Sequence, residues 1–177
     1  MRISVQTMAG TALATAVICI LSPFTITLPI SPVPVSLSIF AIYIAVYAMG
    51  MKWGTVATFL YILIGLVGVP VFSGFSGGAG KILGPTGGYL IGYLFVAFLS
   101  GLFIDRWENR ALHVAGMVLG TASCYLLGTI WLSKASGLEI KAALAAGVIP
   151  FLPADAGKIA LAVLIGPKLR RALIKFR

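Results

Sequence analysis

The chain has 177 residues, of which 60% are hydrophobic and only 10% charged, and its mean hydropathy is +1.08. A soluble domain averages ~45–50% apolar and ~25% charged residues, so a soluble enzyme is excluded and an integral membrane protein is implied. The net charge of +9 comes from 13 Lys+Arg against 4 Asp+Glu; it reflects the positive-inside bias of membrane proteins, because the basic, aromatic-interleaved patch of a nucleic-acid binder is absent.

A helical span needs ~20 apolar residues. The length therefore predicts an all-α bundle of six transmembrane helices with short loops, a single integral-membrane domain over residues 1–177. The first apolar run follows Arg2 and resembles a signal peptide, but it is long and lacks an Ala-x-Ala site, which makes it the first span, Val5–Leu21. Gly10 and Ala14, and likewise Ala12 and Ala16, are small residues four apart that let a second helix approach closely. Residues 22–36 carry prolines at 23, 29, 32 and 34, a density that forbids a helix and predicts a stiff, apolar loop.

Spans two and three are expected over residues 35–50 and 53–68, with Met51-Lys52 as the turn between them. A Gly-rich segment, 69–88, precedes span four over 89–104 and a charged turn at 105–110. Span five covers 112–132, and 133–146 reads as a loop with a short amphipathic helix that keeps Glu139 and Lys141 in water. Span six starts at Pro153 and leads into a basic tail, 168–177.

Cys19 and Cys124 lie inside apolar runs, have no partner at metal-ligand spacing, and read as small core residues. His113 reads as interfacial, and Trp53, Trp107 and Trp131 as aromatic-belt anchors. Arg2, Lys52, Arg106, Arg110, Lys168, Arg170, Arg171, Lys175 and Arg177 fall on one side of the six spans, against Lys81, Lys134 and Lys141 on the other. Both termini are thus expected in the cytoplasm, with the Pro-rich and Gly-rich loops outside.

Two segments carry chemistry. Gly80-Lys81 lacks the glycine five residues earlier and the Ser or Thr next to the lysine that a phosphate loop requires, so nucleotide binding is not expected. The glycines instead offer close backbone approach, with Phe72, Phe75 and Tyr89 as flat walls of a small pocket, or else they form a compact linker. In the last span Pro153 suits the first turn of a helix, and Asp155 lies near the positive end of the helix dipole. Lys158 follows at i+3 on the same face. In a bilayer both must face protein, water or ligand, either as a self-satisfied ion pair or as the floor of a site for a small polar molecule. No nucleophile–base pair or metal-ligand cluster accompanies them, and no cofactor is expected.

Val69-Pro-Val-Phe-Ser-Gly-Phe75, Gly84-Pro-Thr-Gly-Gly-Tyr-Leu90, Pro150-Phe-Leu-Pro-x-Asp-x-x-Lys158 and Ile30-Ser-Pro-Val-Pro-Val35 together resemble the BioY family, the biotin-binding S component of energy-coupling-factor transporters. The resemblance implies biotin capture on the outer side by Asp155 and Lys158, and Phe72, Phe75, Thr86 and Tyr89 of the Gly-rich segment and its border are expected as further substrate contacts. It implies assembly with a transmembrane coupling protein and two ATPase subunits through the Ala12–Ala16 face, in the plasma membrane of a prokaryote. Biotin's ureido ring has two N–H donors and one carbonyl acceptor, which a carboxylate beside a lysine complements. The competing readings are another small vitamin on the same scaffold, or a self-sufficient ion-coupled carrier in which Asp155 and Lys158 form a proton site. An intramembrane enzyme is a third and weaker reading.

Overall fold

The computed structural model describes residues 4–26 and 33–174. Its helices are α1 (Val5–Leu21), α2 (Ser38–Leu66), α3 (Ala79–Leu83), α4 (Gly87–Arg106), α5 (Arg110–Ser136), α6 (Ile140–Gly147) and α7 (Leu152–Ile174). Two short antiparallel strands, β1 (Thr25–Ile26) and β2 (Val35–Ser36), close the first loop. Four helical runs are long and apolar enough to cross a membrane: α2, α4, α5 and the run from α6 through α7, with α1 a shorter apolar helix. The protein is therefore a membrane protein built of helices.

The continuity of α2 is only nominal. Gly50 sits at φ 77°, ψ 179°, outside any helix. A Cβ added at Gly54 would lie 2.9 Å from the Cα of Val46, whereas eight residues of unbroken helix span ~12 Å. Residues 38–49 and 51–66 are consequently two arms that double back on each other. The expected turn at Met51-Lys52 is displaced to Gly50, since a positive φ there is tolerated by glycine and strained for other residues. Met51 then opens the second arm, its N–H donating to Asp105 Oδ2 at 2.7 Å.

The first arm is the centre of the bundle. Ala41, Ile42, Tyr43, Val46 and Tyr47 are all buried, as expected of a helix apolar on every side. Around the two arms of α2 pack α1, α4 and α7. Helix α5 lies mainly on α4, and glycines set that contact: a Cβ at Gly92 would be 2.8 Å from the Cα of Cys124, and one at Gly120 would be 3.0 Å from the Cα of Val96. Small residues replace the hydrophobic drive that bilayer-embedded helices lack.

The two small-residue faces of α1 separate. Gly10 abuts Met49 and Ala14 is buried, so that face serves the chain's own fold, while Ala12 and Ala16 are exposed. Residues 168–174 continue α7 as helix past Pro167 rather than forming a tail. His113 is buried within the bundle, with Nε2 at 2.7 Å from the Trp107 carbonyl and Nδ1 at 3.2 Å from the Tyr47 hydroxyl. A donor at Nε2 and an acceptor at Nδ1 satisfy both contacts.

Candidate binding site

The start of α7 is positioned by what precedes it. Gly137 ends α5 in the left-handed conformation, α6 returns toward the bundle, and a short 3-10 turn, Ile149–Phe151, leads into Leu152. The Tyr89 hydroxyl donates to the Gly147 carbonyl at 3.0 Å, tying the return to α4. Pro153 falls in the first helical turn, where its missing N–H has no carbonyl to serve.

That turn points Asp155 and Lys158 into the bundle, 4% and 8% exposed. Lys158 Nζ donates to Asp155 Oδ1 at 2.5 Å, and the Tyr125 hydroxyl of α5 donates to Oδ2 at the same distance. Neither partner is saturated by these contacts. An ammonium has three N–H donors and a carboxylate about four lone-pair sites, so two donors and about two acceptor sites remain.

The pair lines a cavity of about 40 Å³. Tyr89 and Tyr93 of α4, Cys124 and Tyr125 of α5, Ile39 of α2 and Phe151 form its walls, and Val33, Pro34 and Ser36 form its cover. The volume holds about three waters. A second, mostly apolar cleft of about 250 Å³ meets it at Ser36 and Lys158, bounded by Phe24, Ile26, Val35 and Leu37.

Of the residues expected at a site, Asp155, Lys158 and Tyr89 come together in this cavity, and Phe72, Phe75 and Thr86 are not among its lining. Phe72 is fully buried against Gly65, its ring edge-on to Tyr61 with centroids 5.5 Å apart, so it plugs the Gly-rich loop onto the second arm of α2. Phe75 is 62% exposed and meets Phe24 edge-on at 5.7 Å. Together with the Gly74 N–H donating to the Pro23 carbonyl at 3.0 Å, this joins the two loops at one end of the bundle. Thr86 precedes α4 and is buried without a side-chain cap bond. Ile30 and its neighbours through residue 32 lie outside the described residues.

Tyr125 and Tyr93 were not singled out by sequence. Each lies in a long apolar run where a tyrosine looks like any aromatic core residue. The available clue was that a phenol buried in a bilayer requires a polar partner, and for Tyr125 that partner is one of only four acids in the chain. Among the described residues there is no group of three or more His, Cys, Asp or Glu fit to hold a metal.

The chain resembles known proteins in both sequence and fold. The chain is 38% identical over 146 residues to a biotin transporter BioY of Thermotoga maritima, covering 82% of this chain and 86% of that one. It is 39% identical over 145 residues to a probable biotin transporter BioY of Pyrococcus horikoshii, covering 82% and 85%. The fold superimposes on a crystal structure of the S-component for biotin from an ECF-type ABC transporter with a TM-score of 0.86, at 34% identity, over 94% of this chain and 92% of that one. The model of the BioY family matches residues 1–175, and the chain belongs to that family.

Proposed function

We propose that the protein is the membrane-embedded substrate-binding subunit of a biotin uptake system, capturing biotin at the end of the bundle that holds Asp155 and Lys158. It is a transport protein and not an enzyme. The observation that carries the reading is the buried Asp155–Lys158–Tyr125 group, which lines a cavity and keeps unused hydrogen-bonding capacity in a chain of the BioY family. The ureido N–H groups match the remaining acceptor sites of Asp155, and the ureido carbonyl matches the remaining donors of Lys158. Tyr89, Tyr93 and Phe151 supply flat walls for the sulfur ring.

Pockets for small organic ligands are ~300–1,000 Å³, far larger than the cavity of about 40 Å³, so the cover formed by Val33, Pro34 and Ser36 moves outward on binding. Phe72 and Phe75 act on the ligand through the loops they hold rather than through the cavity wall, and Thr86 through the start of α4. The single domain spans the membrane six times, through α1, the two arms of α2, α4, α5 and α7. Both termini lie in the cytoplasm of a prokaryote, on the side opposite the joined loops. The exposed Ala12–Ala16 face receives the transmembrane coupling protein, which brings two ATPase subunits. Support for this layout comes from the hairpin at Gly50 and from the clustering of Ser4, Trp53 and Leu173 around one groove at the same end of the bundle.

Titration calorimetry of the purified protein with biotin and with desthiobiotin tests the assignment. Saturable biotin binding is expected, and its absence in folded protein rejects the function. Co-purification with ATPase subunits separates an energy-coupled subunit from a self-sufficient carrier.

A further inference from the structure

At the end of the bundle opposite Asp155, a second cavity of about 630 Å³ opens beside Pro167. Several of its lining groups already have partners within the chain. Tyr47 and His113 bond to each other, and His113 also bonds to the Trp107 carbonyl. Asp105 accepts from the Met51 N–H and pairs with Arg170 at 2.8 Å.

Arg106 and Arg171, also in the lining, have no ion-pair partner among the described residues. The remaining lining carboxylate, Glu108, offsets only one of them. Arg106 is the last residue of a 20-residue apolar helix, which puts it at the depth of lipid headgroups, and the 40% exposed Trp107 beside it suits that layer.

We propose that this cavity binds the phosphate headgroup of an anionic lipid, clasped by Arg106 and Arg171. A guanidinium fork matches phosphate oxygens two at a time. The cavity volume falls in the ~300–1,000 Å³ range of organic ligands and greatly exceeds a bare oxyanion. A free phosphate ion offers the same oxygens without the rest of the headgroup or its acyl anchor, and the experiment separates the two.

The test reconstitutes the full-length protein with phosphatidylglycerol or phosphatidylcholine, exchanges it into lipid-free detergent, and counts the retained lipid by quantitative mass spectrometry. Phosphatidylglycerol is expected to be retained and to raise the melting temperature, with phosphatidylcholine doing neither. Equal retention of the two lipids overturns the proposal, as does equal stabilisation by inorganic phosphate alone. Each arginine at a charged headgroup contributes about five-fold in affinity. Retention by the Arg106→Gln/Arg171→Gln variant should therefore fall about 25-fold, with Arg106→Lys/Arg171→Lys intermediate. Unchanged retention in a folded double Gln variant overturns it, including the case where that variant instead loses capture of a coupling subunit. The wild-type comparison decides even if the double variant does not fold.

Discussion

Replacing Asp155 with asparagine separates a binding site from an internal ion pair. The side chain keeps its shape but loses its charge and one acceptor oxygen, so Lys158 and Tyr125 compete for the oxygen that remains. With both pair members buried, an uncompensated ammonium costs about 3–5 kcal/mol of stability. Loss of charge-assisted bonds to the ligand costs about 1.5–3 kcal/mol, or roughly 10- to 150-fold in Kd for biotin. The two effects come apart in Asp155→Asn/Lys158→Met, which carries no buried charge. Its thermal stability should return to within about 1 kcal/mol of the parent, while calorimetry should show biotin binding still lost. Parental biotin affinity in the stable double variant would refute the site and leave a purely structural pair.

Tyr125→Phe removes one bond to Asp155 Oδ2 and should weaken biotin binding about five- to ten-fold, or ~1–1.5 kcal/mol, by the same calorimetry. Ala12→Leu or Ala16→Leu adds bulk on the exposed face of α1; biotin affinity should hold while pull-down of the coupling protein fails. Gly54→Leu forces a side chain against Val46 and should destabilise the α2 hairpin by about 1–3 kcal/mol in a thermal unfolding scan. A single cysteine at Val33, in a protein lacking Cys19 and Cys124, lies in the cover of the cavity; saturating biotin should slow its labelling, and equal rates would reject closure of that cover.

Composition and helical spacing were enough to identify a membrane-embedded helical protein and to place Asp155 and Lys158 on one face, because both depend on local rules. Hydropathy reports the solvent, and an i, i+3 separation inside a helix always brings two side chains together. The family motifs were likewise legible as contiguous residues. The sequence did not reveal what those side chains face. Tyr125 reaches Asp155 from 30 positions away, a contact that only the packing of α5 against α7 creates. Phe72 and Phe75 share one motif, yet tertiary contacts bury one ring against Gly65 and Tyr61 and leave the other against Phe24. The turn of α2 lies at Gly50 rather than at Met51-Lys52 because only glycine takes its positive φ without strain, and Asp105, 54 positions away, adds a carboxylate that accepts the Met51 N–H at the start of the second arm. Local periodicity carries no record of such distant partners, so only the assembled bundle decides which of its polar groups share a cavity.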